Sequence, residues 1–405
     1  MFSWNRLPRG VKALFFTQVI NRAGDLVVPF LTLLLTQVLG LAPAAAGATV
    51  SLATLLGSLG GLLAGKLADR YGRRDVLVVF LATSALLIAG AGWAPRELAS
   101  AAVLVVAGFF FGAMRPLVNA LVGDLSTPST RREAFSLSYF GINLGVALGP
   151  LLAGWLFHNA LSWLFWLDAL STALALAVVL KYVPRNTHAV VSASRGQEEP
   201  RPKNEVSSLA QFVRHPLLFP YALLLLAYSV VYSQMNFTLA LQLVESFGAE
   251  QGPPVFGLVW GVNALGVVVL MPLVLRLTRR WRNLPSMALA LFVAAAGLVI
   301  YLFHPNLTWV LISTVVWTAG EVLYSVHEGD FVTTQSPPEL RARFQAYVGF
   351  ASSLGYVVAP VVSGWVTQTV GLGGVWAGSV ALLVVAGGGF ALLKSANRDA
   401  ETPTN

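Results

Sequence analysis

Residues 65–74 read "GKLADRYGRR", with five charged side chains in ten positions. A long apolar run stands on either side. A charged residue at the centre of a membrane helix costs about 2.5–3.5 kcal/mol on insertion scales. Five of them therefore belong outside the hydrocarbon, in a short loop between two membrane spans. The rest of the chain extends that reading. It has 405 residues, 56% hydrophobic and 11% charged, whereas soluble domains carry about 25% charged residues. Its mean hydropathy is +0.71.

A spanning helix needs about 20 mostly apolar residues. Stretches of that kind recur at 11–36, 44–68, 75–94, 98–123, 133–157 and 160–182, then at 217–243, 253–275, 285–303, 307–331, 343–368 and 371–394. The first starts near Val11 and runs past residue 30 with no small-residue cleavage site after it, so it reads as a retained helix rather than a signal peptide. The fold class is thus all-α and integral to the membrane, with twelve transmembrane helices in two six-helix bundles. The bundles are residues 1–183 and 216–405. Between them, 184–215 is polar and mixed in charge, as a cytoplasmic linker is. Its last part, "LAQFVRHP", reads either as more linker or as a short helix on the membrane surface.

All but three of the 26 Lys and Arg residues fall at the chain ends, in the linker, or in loops on one side of this map. The exceptions are Arg96 in an outer loop and Arg22 and Arg115 inside spans. The positive-inside rule then places both termini in the cytoplasm and the protein in the inner (plasma) membrane. It also accounts for the net charge of +8 without a nucleic-acid partner. The absence of cysteine excludes disulfides, thiolate metal sites and a Cys nucleophile.

The two halves repeat. "RREAFSLSYFGINLGVALGPLLAGW" at 131–155 is matched by "RARFQAYVGFASSLGYVVAPVVSGW" at 341–365. Arg131, Gly145, Pro150, Gly154 and Trp155 recur 210 residues later as Arg341, Gly355, Pro360, Gly364 and Trp365. Two bundles of the same orientation imply a pseudo-symmetry axis along the membrane normal.

Gly65, Leu67, Asp69, Arg70, Gly72, Arg73 and Arg74 match the loop signature between the second and third helices of the major facilitator superfamily. The whole chain resembles that family, in its spans, linker and half-repeat. The resemblance implies a secondary transporter working by alternating access, in which this loop latches the halves on the cytoplasmic side. In that latch Gly65 admits a close helix neighbour and Gly72 a tight turn. Asp69 faces the start of the eleventh helix, near Arg343, and Arg73 pairs with Asp124 at the inner end of the fourth span. The ordinary alternative is a positive-inside turn. A decayed copy, "LRLTRRWRN" at 275–283, lacks the acid and both glycines. "GINLGVALGPLLAG" in the fifth span is similar to the motif of proton-coupled antiporters in the superfamily, although helix packing explains its glycines equally well. The paired glutamate–arginine signature of peptide symporters is not found in the first span.

Ionisable residues inside the membrane are candidates for function. Gln18, Arg22 and Asp25 share one face of span 1, with Pro29 beyond them as a kink. Arg115 and Asn119 share a face of span 4. Trp317, Glu321, Tyr324 and Glu328 form a stripe in span 10. Asp25 and Glu321 are the candidate proton-coupling acids, with Arg115 as counter-charge to Glu321 across the halves. Permanent ion pairing is the rival reading. His327 reads as packing, Glu328 and Asp330 as solvated, and Asp168 and His158 as unremarkable groups near the outer surface. Candidate cavity groups are Arg22, Asn119, Asn143, Tyr228, Tyr232, Asn236, Trp260, Asn263 and Tyr324, for which lipid or helix packing is the competing role.

The resulting expectation is a monomeric, proton-driven exporter of small amphipathic or apolar compounds, such as drugs, needing no cofactor beyond the proton gradient. An importer of sugar, peptide or organic acid and a lysolipid flippase remain open within the same class. A membrane enzyme would need a cluster of acids or metal ligands at one face, and a sensor would retain the fold without flux.

Overall fold

The computed structural model describes residues 7–127, 129–185, 205–303, 305–337 and 340–401. Linker residues 186–204 and the side chains of Arg132 and Asp330 lie outside the described residues, so the readings placed on them stand as sequence readings. Among the described residues all regular structure is helical. In the first half the helices are α1 (Arg9–Ala23), α2 (Leu31–Leu33, running on into a π-helical turn at Leu34–Val38), α3 (Pro43–Tyr71), α4 (Arg73–Ala91), α5 (Leu98–Gly112), α6 (Met114–Leu125), α7 (Arg131–Asn159) and α8 (Leu161–Tyr182). Then follow α9 (Glu205–Arg214), α10 (Leu218–Ser233), α11 (Thr238–Leu277), α12 (Asn283–Leu298), α13 (Leu307–Gln335), α14 (Arg341–Thr369) and α15 (Leu372–Glu401), with a 3₁₀ turn at Val299–Phe303.

Local chemistry sets several boundaries. Pro43 opens α3 at its first position, where a missing N–H costs nothing. Gly72 separates α3 from α4 with φ 93° and ψ 137°, a backbone state that a Cβ disfavours, so one residue turns the chain between two spans. Asn306 caps α13, accepting from the backbone N–H of Trp309 at 3.1 Å, as a good N-cap does.

Ten segments among the described residues are long and apolar enough to cross a membrane. Two backbone breaks bear on the twelve spans expected. The first expected span is interrupted: α1 ends at Ala23, and residues 24–30 are not helical. Pro29 lies in that break, where it has no N–H to give and its ring would clash with a continuing helix. The seventh and eighth expected spans are separate helices that part at Gly248, whose φ of 81° and ψ of 168° lie outside helical geometry.

The chain divides into two compact units. The first comprises 1–197 with 243–264, and the second 198–242 with 265–405. In the first unit α1 packs on α7 and α8, α4 on α5 and α8, and α3 on α5. In the second, the equivalent helices pair in the same way: α10 with α14 and α15, and α12 with α13 and α15. The repeat reaches individual contacts. A Cβ on Gly145 would lie 2.8 Å from the Val19 carbonyl oxygen of α1. A Cβ on Gly355 would lie 2.8 Å from the Leu226 carbonyl oxygen of α10. Both positions hold glycine because the neighbouring backbone occupies the space of a side chain. Segment 243–264 joins the first unit through Phe256, whose ring meets Phe30 edge-to-face at 5.2 Å, while Phe157 of α7 flanks Phe30 at 5.9 Å.

The end of the expected linker is structured. Helix α9 is amphipathic and lays Phe212 against Phe344 at 5.3 Å and Tyr347 at 5.2 Å. Ser208 shares a 2.9 Å hydrogen bond with the Tyr347 hydroxyl and accepts from Arg343 Nη1 at 3.3 Å. Of the two readings of this stretch, the helix is the one that forms, and it lies on α14.

Candidate functional site

Three polar groupings interrupt the apolar bundles. The first is the loop of residues 65–74. Arg73, the first residue of α4, is ion-paired with Asp124 near the end of α6 and also donates to the Ala120 carbonyl at 3.3 Å. Arg74 ties the same helix start to α8, donating to the Leu180 carbonyl at 2.9 Å, and Arg185 reaches Asp75 at 3.0 Å. Asp69 and Arg70 are exposed, and the Arg70 guanidinium sits 5.2 Å from the Tyr71 ring. Within its own unit, a Cβ at Gly65 would meet no described atom within 4 Å. The tight glycine contact of this helix lies one turn earlier, at Gly60 against the Phe109 backbone.

In the second unit Asn283 begins α12, 210 residues after Arg73 begins α4. Its Oδ1 lies 3.0 Å from Nδ1 of the buried His327, whose Nε2 lies 3.1 Å from Thr278 Oγ1. The decayed loop copy thus keeps a helix-to-loop tie, made from neutral groups in place of an ion pair.

The second grouping surrounds the break in span 1. Arg22 Nη1 meets Asp25 Oδ2 at 2.9 Å, just past the end of α1. Asp168, on α8, is fully buried, and its Oδ2 accepts from the backbone N–H groups of Leu26 and Val27, each at 3.0 Å. An unwound backbone in a membrane must find acceptors inside the protein, and Asp168 supplies one for two amides. Asn21 adds a 3.2 Å bond to Thr172. Gln18 accepts from Ser138 at 2.7 Å. Arg22 also lies 5.5 Å from the Phe111 ring. A cavity beside this cluster is lined by Gln18, Asn21, Arg22, Met114, Arg115 and Ile142. Asp168 was not legible as a site residue, because its partners lie more than 140 positions away and nothing in the α8 pattern distinguishes it.

The third grouping lies in the second unit. The Tyr232 hydroxyl donates to Glu321 Oε1 at 2.7 Å. Tyr228 stacks on Tyr324 at 4.2 Å and flanks Tyr232 at 5.9 Å, and Tyr356 closes on Tyr232 at 6.3 Å. Tyr228, Tyr232, Met235, Trp317, Glu321 and Leu383 line a cavity here.

The remaining candidates divide. Asn119 is half-buried on α6 beside the Arg115 turn. Asn143 donates to the Tyr139 carbonyl of its own helix at 2.8 Å. Asn236 lies in the turn between α10 and α11, and Asn263 and Trp260 are buried in α11.

Residues 14–360 match the Major Facilitator Superfamily. The chain is 24% identical to the uncharacterized MFS-type transporter YqjV of Bacillus subtilis, over 87% of this chain and 84% of that one. It is 23% identical to a Na(+), Li(+), K(+)/H(+) antiporter of Planococcus maritimus, over 88% and 89% of the two chains. Among solved structures it superposes on the POT family transporter PepTSo with a TM-score of 0.76, covering 97% of this chain and 99% of that one at 15% identity. These similar proteins are all transporters. Two helical units with repeated internal packing, a charged loop clasped by Arg73 and Asp124, and a family match across most of the chain lead to one assignment: this is a membrane transporter belonging to the Major Facilitator Superfamily.

Proposed function

We propose that the chain is a proton-coupled secondary transporter of twelve spans, with bundles 1–183 and 216–405 and linker 184–215. On this reading both termini are cytoplasmic and the protein works as a monomer in the inner membrane. It exports small amphipathic organic compounds by alternating access. The observation that supports this best is Glu321, an intramembrane acid hydrogen-bonded to Tyr232 in a cavity walled by aromatic rings. An acid in such a cavity links substrate occupancy to protonation, because a proton and a bound organic molecule change the same hydrogen bond. Asp25, paired with Arg22, is the second coupling acid, and the loop around Asp69 and Arg73 is the conformational latch. The test uses everted membrane vesicles with an imposed pH gradient and a panel of amphipathic aromatic compounds. A compound that dissipates the gradient only when the protein is present supports export by proton exchange. Compound movement with no effect on the gradient contradicts it.

One observation favours a second reading, import of an organic acid. Arg22 and Arg115 line a common cavity with Gln18 and Asn21, a setting suited to a carboxylate. Proton-driven accumulation of aromatic carboxylates in right-side-out vesicles distinguishes import from export.

A further inference from the structure

Asp168 and Asp25 together present an unusual charge balance. Asp168 Oδ2 holds the Leu26 and Val27 amides, and Asp25 Oδ2 holds Arg22. The other oxygen of each carboxylate, Oδ1, is sealed from solvent and has no hydrogen-bond partner among the described residues. Asp168 is 0% and Asp25 8% exposed. Asp168 holds the amide of Leu26, the residue that follows Asp25, and Arg22 holds Asp25, so the two acids and the guanidinium form one cluster. With both acids ionised, one guanidinium faces two buried carboxylates, leaving one uncompensated negative charge inside a membrane-spanning segment. A buried unpaired charge is strongly disfavoured and is relieved by taking up a proton.

We infer that Asp25 and Asp168 form a single proton-binding site that exchanges one proton. The inference deepens the proposed function and rests on its reading of the chain as proton-coupled. The proton adds to an Oδ1 oxygen, so neither the Arg22 bond nor the two amide bonds need break. Carboxylate and proton become a carboxylic acid, and the local charge returns to zero. Because the pair shares one charge deficit, its titration belongs to both acids.

Among the described residues, the other charged groups on the elements packed around the pair stand at helix ends or in exposed loops, as Arg96 and Glu97 do beyond the α4 end that meets α8. From α1 and the break, Arg22 and Asp25 face Asp168. On α4 the charged groups Arg73, Arg74 and Asp75 are held at the far end of α8 by the Arg74–Leu180 bond, about 18 Å along the helix. On α7, Arg131, Arg132 and Glu133 stand at one end and the exposed His158 at the other, with Gly145 and Gly149 backing Arg22 and Ala23. On α8 itself Lys181 is exposed at its end. Segment 243–264 carries Glu245 and Glu250, both exposed. Arg115, in the adjoining cavity, is the next cation.

The test is pH-difference infrared spectroscopy on the full-length protein in liposomes, with no substrate added. The wild type shows the carbonyl band of a buried protonated carboxyl group that titrates. In a Glu321→Gln background, which removes the other proposed coupling acid's own band, Asp168→Asn and Asp25→Asn each abolish the remaining one, since one acid opposite Arg22 is already neutralised. Asparagine at 168 keeps a carbonyl oxygen for the Leu26 and Val27 amides, so a purely structural Asp168 would leave the band unchanged. In the same background Arg22→Gln removes the cation and increases the band about twofold, because both acids then take a proton. Absence of the band in the Glu321→Gln background, its survival when Asp168→Asn is added, or an unchanged amplitude with Arg22→Gln overturns the inference. Loss of the band in Asp168→Asn alongside substrate flux that moves no protons leaves the proton site standing and refutes the coupling reading instead.

Discussion

The Tyr232 hydroxyl donates to Glu321 Oε1 at 2.7 Å, joining α10 to α13 across 89 residues of sequence. Replacing the acid keeps the shape and removes the titration. Glu321→Gln is expected to lower gradient-driven transport at least about tenfold, the scale of one lost charged interaction, while substrate exchange persists. Paired uptake and exchange assays in proteoliposomes check this, and an unchanged pH dependence removes Glu321 from coupling.

Arg73 and Asp124 form the partly buried clasp of the charged loop. Arg73→Ala is expected to cost about 1 kcal/mol of stability, toward the upper end for an ion pair with this exposure, and to slow transport. The swap Arg73→Asp with Asp124→Arg should restore part of both. Asp69→Asn acts differently. Asp69 is exposed, so the variant keeps its thermal stability and loses transport if the latch operates. Thermal unfolding in detergent, read beside initial transport rates, separates the two effects.

Gly145 tests the close packing of α1 on α7. Its Cβ would lie 2.5 Å from the Arg22 Cβ, so Gly145→Val must push the helices apart. The expected loss is about 1–3 kcal/mol, as for other overpacked sites, with Arg22 and its cavity displaced. Gly65→Ala is the matched control, since no described atom lies within 4 Å of its Cβ position. Thermal unfolding of the two variants should differ clearly, and equal stabilities would contradict the packing account.

His215 joins α9 to α10. Its Nδ1 accepts from the backbone N–H groups of Leu217 and Leu218 at 3.3 and 3.1 Å. Burial pushes its imidazole below the usual value of 6.5, outweighing the hydrogen bond to the Gln335 backbone that favours the charged form. The unfolded chain therefore takes up the proton first as pH falls. The contribution of His215 is complete above about 6.5 and is lost as pH drops through the window below it. His215→Asn keeps an acceptor near Nδ1 without the titration. Thermal unfolding between pH 7.5 and 5.5 (assay conditions at about one unit either side of 6.5) should show a shallower decline for this variant than for wild type.

How far the sequence reached depends on the range of each contact. The transmembrane character, the half-repeat and the charged loop are written in local composition and in a 210-residue repeat, so Arg73 and Asp124 could be paired from their places at helix ends. The Arg22–Asp25 pair lies three positions apart and was legible from helical spacing. Asp168 was not, because its role comes from two amides that a proline-associated break exposes 142 and 141 positions away. Gly248, between the seventh and eighth expected spans, ends one helix and begins the next through a single residue outside helical geometry. Gly60, which packs on the Phe109 backbone, lies outside the family motif and carried no mark in the sequence.

The most direct test of proton-coupled transport is to purify the protein into liposomes carrying a trapped pH indicator and to impose a pH gradient with no membrane potential. A transported amphipathic compound should accumulate against its own concentration gradient while the indicator records matching proton movement in the opposite direction. Accumulation without proton movement, or equilibration that ignores the imposed gradient, would contradict the account.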